Sequence, residues 1–231
     1  MKIGALQKFS GMDFPGRMSC IVFTQGCNFR CSYCHNPELV LPEKFGEPLN
    51  EEFFFEFLER RKGAIEGVVI TGGEPTVHRD LPKFIEKIKN EGFFVKLDTN
   101  GTNPKIIDEL ISKNLLDYIA MDIKGSFSKY QLITNIEVEI RDIIESMEII
   151  MKSDIAYEFR TTVLKNFHTP EDFLEIGRYV KGAKKYVLQN FKPTKCIDKT
   201  LLEMGRPFDR FEMEKAKKIL KDFVALVEVR M

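Results

Sequence analysis

The chain lacks a charge imbalance, a long apolar run and an even set of cysteines, and each absence removes a class of protein. Lys and Arg number 35 and Asp and Glu also number 35, so the formal net charge is zero. Nucleic-acid binders use an excess of basic groups to displace counterions from phosphates, so no nucleic-acid partner is expected. No stretch approaches the roughly 20 apolar residues that span a bilayer. The opening MKIGALQKFSGMDFPG has no apolar core of a signal peptide. Together these predict a cytoplasmic protein without membrane contact. The five cysteines are odd in number, and three of them fall between Cys27 and Cys34. Secreted disulfide scaffolds use an even, spread set, so metal binding is the better explanation. Repeats, low-complexity tracts and Pro/Gly/Ser linkers are absent too, apart from a loop-like segment from Leu41 to Pro48. One domain over residues 1–231 accommodates this pattern.

What is present is an alternation of short β-branched runs with longer stretches of helical period, the pattern of a parallel sheet with crossover helices. Strands are expected at Ser19 to Thr24, Gly67 to Thr71, Phe93 to Asp98, Tyr118 to Ile123, Ala156 to Val163 and Lys185 to Gln189. Between them, apolar stripes such as Leu81, Phe84, Ile85, Ile88 and Ile140, Ile143, Ile144, Met147, Ile150 each suit a helix covering the sheet. Asp80, Asn103 and Thr169 stand before Pro-containing first turns and read as N-caps. Phe53, Phe54, Phe55 and Phe57 are interleaved with glutamates, so they read as core packing on an amphipathic helix and not as a cofactor site. Six strand-and-helix units are too few for a closed eightfold barrel, which takes about 250 residues. The expected fold is therefore α/β, a partial (βα)6 TIM-like barrel of parallel strands, open on one side.

Cys27, Cys31 and Cys34 follow directly on the first of these strands. In parallel α/β folds that strand end is the mouth where ligands bind. A four-iron cluster normally takes four thiolates, and this loop offers three, leaving one iron open as catalytic metal sites do. A structural zinc site is the alternative. His35 is a poor fourth zinc ligand because paired ligands are usually spaced by two residues or more, and Cys20 or Cys196 would serve only if folding brought one close. Cys20 lies in an apolar strand and reads as core; Cys196 lies in a loop and has no assigned role.

The C-x3-C-x2-C spacing, with Tyr33 before the last cysteine, resembles the signature of the radical S-adenosylmethionine (SAM) superfamily. The resemblance implies a [4Fe-4S] cluster on Cys27, Cys31 and Cys34 and SAM bound through the open iron, with Tyr33 and His35 beside it. Gly72-Gly73-Glu74, at the end of the second expected strand, resembles the segment that holds the cofactor's methionine amine. Leu97 to Gly101 and Ala120 to Gly125 resemble segments of glycyl-radical activases. There Asp98, Thr99 and Asp122 would be ligands of a monovalent cation, while Ile123 and Lys124 would contact the cofactor. Arg160 is a charged residue in an apolar strand and needs a partner if it points inward; the cofactor carboxylate is a natural one. His78 and His168 have no catalytic partner in sequence and read as surface residues.

Ser10 to Gly16, Val22 to Asn28 and Tyr33 to Leu39 resemble the activating proteins of anaerobic ribonucleoside-triphosphate reductases. That family implies a protein substrate, the reductase, from one of whose glycines a 5′-deoxyadenosyl radical takes the Cα hydrogen. It also implies reduced flavodoxin or ferredoxin as electron donor. The Asp13 to Gly16 turn is a candidate for gripping the incoming glycine loop. Pyruvate formate-lyase activases instead carry D-G-P-G at this turn and a His where this chain has Phe191, and no second cysteine cluster follows Cys34. A radical enzyme acting on a small metabolite, such as the deazaguanine-forming enzymes, and a zinc-binding module are the rival classes.

Overall fold

In the computed structural model, which describes residues 1–231, β-branched runs become strands and the apolar stripes become covering helices. β1 (Ile3–Ser10) lies antiparallel to β2 (Ser19–Thr24). α1 (Pro37–Val40) and α2 (Glu51–Arg61) lead to β3 (Gly67–Gly72), and α3 (Leu81–Asn90) leads to β4 (Phe94–Thr99). α4 (Pro104–Ser112) precedes β5 (Tyr118–Asp122), and α5 (Tyr130–Thr134) with α6 (Ile140–Lys152) precedes β6 (Ala156–Val163). α7 (Pro170–Tyr179) returns to β7 (Lys185–Asn190), and α8 (Leu201–Met204) with α9 (Arg210–Leu220) returns to β8 (Leu226–Arg230).

The eight strands form one sheet in sequence order, and β2 through β8 are parallel. β1 and β8 each have a single neighbour, so the barrel is open, as expected. Six crossovers join these parallel strands, which matches the expected count of units. Two strands at the ends of the pattern were not foreseen. β1 is largely exposed between its two buried ends, and β8 is short and half-exposed, so neither shows the continuous buried apolar run of the inner strands.

Alternation along each strand separates two faces. On the helix side, Val95, Leu97, Ile119, Met121 and Phe159 join a large core cluster with Phe54, Phe84, Ile88, Ile107 and Met147. Phe54 and Phe57 are buried there while Phe53 is 44% exposed, which is the amphipathic packing the glutamates implied. The inner face of the half-barrel is different. Near the strand N-termini it holds a small apolar cluster of Phe14, Ile21, Val69, Tyr118 and Ala120. The Phe14 ring stands against Gly67, the first residue of β3. The Asp13 to Gly16 turn therefore closes the N-terminal end of the barrel, away from the cysteine loop at the C-terminal ends. Its side-chain bond, Asp13 accepting from Ser10, is local. One expected cap also differs: Asp80 makes no cap bond and pairs with the Met1 ammonium at 2.6 Å.

Candidate active site

Three loops meet at the C-terminal ends of β2, β3 and β4, and backbone contact brings them together. Gly73 N–H donates to Thr24 O at 2.9 Å and Glu74 N–H donates to Gly26 O at 2.8 Å. Only glycine permits this approach, because a Cβ on Gly73 would stand 2.0 Å from Gly26 O. Gly72 has φ +112, and a Cβ there would stand 2.4 Å from Thr24 N. Glu74 is 1% exposed and is caged by donors. One oxygen accepts from Thr76 N–H (3.1 Å), Thr76 Oγ1 (2.6 Å) and Thr99 Oγ1 (2.7 Å), and the other accepts from Asn100 N–H at 2.6 Å. Burial raises its pKa against those hydrogen bonds. Its role in the fold is to tie the β3 and β4 ends together. Asn100 continues the chain outward, donating to Asn28 Oδ1 in the cysteine loop at 2.9 Å.

These loops wall a cavity of about 260 Å³. Cys27, Cys31 and Cys34 line it together with Tyr33, His35, Gly72, Gly73, Glu74, Asp98, Thr99, Asp122 and Lys124. Two expected site residues do not line it. Ile123 faces the helix-side core and is 2% exposed, because strand alternation that turns Asp122 and Lys124 inward turns Ile123 away. Arg160 points inward but meets carboxylates: its Nε donates to Asp122 Oδ1 at 2.8 Å and its Nη1 to Asp98 Oδ2 at 3.1 Å. Asn36, Asn100, Thr162 and Gln189 line the cavity without having been singled out as site residues. Asn100 belongs to the Leu97 to Gly101 segment and Gln189 ends an expected strand, so strand-end position is the signal in the sequence.

The thiols suit an iron–sulfur cluster by donor type and by field. Burial pushes Cys27 up to about 12, with Glu74 adding to it, and Cys31 up to about 11; Cys34 is raised by burial as well. Lys124 works against that rise at all three thiols. Thiols in such surroundings release their protons when a metal takes their place. Phe29 N–H already points to Cys27 Sγ at 3.4 Å, a donor suited to a metal-bound sulfur. The Tyr33 hydroxyl is buried without a hydrogen-bond partner beside these groups.

The loop after β7 closes over the cysteine segment. His35 stacks on Phe191 with ring centroids 5.6 Å apart, and its Nε2 meets Lys192 O at 3.0 Å. Asp198 N–H donates to Ser32 O at 2.9 Å, and Lys195 pairs with Glu38 at 2.6 Å. Cys196 in this loop is 5% exposed, its thiol donating to Asp198 O at 2.9 Å. Cys20 is fully buried in β2. His168, expected at the surface, is 3% exposed. Its Nε2 meets Lys124 O at 2.9 Å and its Nδ1 lies 3.2 Å from Leu164 N–H, so it braces the strand end that carries Lys124. His78 is partly buried, with Nε2 2.9 Å from Gln25 O.

The groups expected to hold a monovalent cation are engaged by the chain's own cations. Asp98 accepts from Lys96 Nζ at 2.5 Å and from Arg160, while Asp122 accepts from Arg160 and from Lys124 Nζ at 3.1 Å. Thr99 gives its hydroxyl hydrogen to Glu74. Burial alone would raise Asp122, but Arg160 and then Lys124 outweigh it and hold the carboxyl down to about 2.

The chain belongs to the radical SAM superfamily, which matches residues 21–180. It is a radical SAM enzyme, and the family brings with it an iron–sulfur cluster and SAM. A protein of Methanocaldococcus jannaschii carrying the name of a glycyl-radical enzyme activating enzyme is 33% identical over 234 residues, covering 99% of this chain and 95% of its own. The 7-carboxy-7-deazaguanine synthase of Aquifex aeolicus is 37% identical over 91 residues, 38% of each chain. Among solved structures, Streptococcus suis SuiB bound to precursor peptide SuiA superposes with a TM-score of 0.67 at 15% identity, over 90% of this chain and 47% of that one. That likeness is one of fold. No helix is long and apolar enough to cross a membrane.

Proposed function

We propose that this protein is a glycyl-radical activase whose substrate is an anaerobic ribonucleoside-triphosphate reductase, acting in the cytoplasm with reduced flavodoxin or ferredoxin as electron donor. When bound, the cluster and SAM supply the radical that removes a hydrogen atom from glycine. The residues of this chain bind, orient and screen. Cys27, Cys31 and Cys34 would hold the cluster, and Gly72 and Gly73, packed against the cysteine loop, line the cavity that the cofactor would fill. Lys124 and the Asp98–Arg160–Asp122 ladder set the charge beneath it. Tyr33 and His35 also line the cavity. Glycine is a fitting target because its missing side chain lets the Cα come close to a reacting carbon.

The observation that carries the reading is the stack of buried Phe191 on His35, a residue that lines the thiol cavity. Formate-lyase activases are expected to place a histidine where this chain has buried Phe191, which argues against that substrate, and the resemblance to the reductase-activating proteins is dense over residues 1–40. The full-length relationship to an activating enzyme supports the same class, while the match to the deazaguanine synthase spans little more than a third of either chain. The test is anaerobic. Reduced protein, SAM and the reductase of the same organism should give an electron-spin signal split by one α-hydrogen, and replacing the acceptor glycine of the reductase with alanine should remove it while slow SAM cleavage continues. A radical formed on a pyruvate formate-lyase instead, or turnover of a small metabolite with no radical on the reductase, overturns the proposal.

A further inference from the structure

The inner face of β4 carries a lysine where an apolar residue would pack. Lys96 and Asp98 are two apart and point the same way, between the outward Val95 and Leu97. Lys96 is 2% exposed, its Nζ lies 6.0 Å from the Tyr118 ring centroid and its hydrogen-bond partner is Asp98. Burying an ammonium so deeply is costly unless it is paired, so the residue needs a reason. The carboxylates supply one. All four oxygens of Asp98 and Asp122 accept from cationic groups of the chain: Lys96, Arg160 twice, and Lys124. The five groups alternate in sign from the barrel interior to the cavity wall and sum to one positive charge.

We propose that Lys96 supplies from within the chain the single positive charge at Asp98 that the activase resemblance assigned to a bound monovalent cation. An ammonium group and a potassium ion are similar in size and carry the same charge, and Lys96 reaches its carboxylate from the side opposite the cavity. Lys96 is thus a positioning residue: it acts on the cofactor through Asp98 and through the Arg160 that Asp98 shares with Asp122. The consequence is a site complete without an added alkali cation. The inference rests on the cavity binding SAM and is independent of which protein is activated.

The experiment compares wild type with Lys96→Met, which keeps the volume and removes the charge. SAM affinity is measured by titration of the reconstituted, unreduced protein in choline chloride, then with potassium, sodium or thallous ion added; melting of the cluster-free protein is followed in the same salts. Wild type should show the same affinity and melting temperature in every salt. Lys96→Met in choline should bind SAM roughly tenfold or more weakly, because Asp98, which lines the cavity, loses the ammonium that fixes and balances it, and potassium or thallous ion should restore binding saturably and raise the variant's melting temperature. A general packing defect would not be rescued by a cation. Wild type that loses tenfold in affinity when potassium is withdrawn overturns the proposal, as does a variant that binds normally in choline or is not rescued by any cation. SAM failing to bind wild type in every salt would sink the cofactor reading of the cavity, while the cation dependence of melting would still judge Lys96.

Discussion

Arg160→Leu tests the charge ladder most directly, because one side chain serves both carboxylates. Its removal takes away contacts of 2.8 Å to Asp122 and 3.1 Å to Asp98. Breaking a buried pair from one side costs about 3–5 kcal/mol, since the remaining charge is left desolvated. Asp98 and Asp122 side chains keep 14% and 32% of their exposure, which moves the cost to the lower end of that range. At about 3 kcal/mol and about 2–4 °C per kcal/mol for a chain of this size, melting should fall by about 6–12 °C. Asp122 should also lose its low pKa. In wild type its ionisation adds stability that is present above the unfolded carboxyl value of about 4 and is lost as pH falls toward about 2; in the variant the folded value rises toward the unfolded one, so this acid-side loss should shrink or disappear. SAM affinity should also drop, because Asp98 and Asp122, which line the cavity, lose the group that fixes them, while iron and acid-labile sulfide stay at wild-type content because no thiolate is touched. Adding Asp122→Asn to Arg160→Leu should recover part of the melting temperature. Unchanged melting together with unchanged SAM binding would make the ladder irrelevant to both.

Cys31→Ser should abolish the brown colour and SAM cleavage, because two thiolates and a hydroxyl anchor a cluster poorly, whereas Cys20→Ala and Cys196→Ala should retain iron; loss of iron in Cys196→Ala would mean a fourth protein ligand. Gly73→Ala should prevent cluster assembly even though every cysteine is present, since its methyl would meet Gly26 O at 2.0 Å; an iron-replete alanine variant would show that the loops are not held by that contact. Burial lowers the pKa of His168, so it stays neutral in the fold, and stability should fall as pH drops below the unfolded imidazole value of about 6.5. His168→Phe should flatten that dependence in melting curves from pH 7 to 5 and loosen SAM binding through Lys124; a pH profile identical to wild type would show that His168 does not titrate with folding.

The local features of the site were legible because each is written in neighbouring residues. Cys27, Cys31 and Cys34 share one loop, Gly72 to Glu74 share one strand end, and the alternation of β-branched runs with helical stripes announces the parallel sheet. Asp98 and Asp122 could likewise be placed at adjacent strand ends. Which groups face one another across strands depends instead on how distant segments pair. Asp122 stands opposite Arg160 because β5 and β6 pair in that register, and Lys96 reaches Asp98 because both share the inner face of β4. Lys96 and Glu158, like Arg160, are charges within apolar strands, and Glu158 is 1% exposed and held by Tyr118, Lys185 and Arg230. Burial of His168 and the outward turn of Ile123 depend on how α7 and β5 pack, and β1 and β8 gain their hydrogen bonds only from neighbours already in place. Period and spacing act within a few residues; register, facing and burial are set by contacts between segments far apart in the chain, and those contacts determine whether a carboxylate meets a cofactor, a metal ion or a lysine.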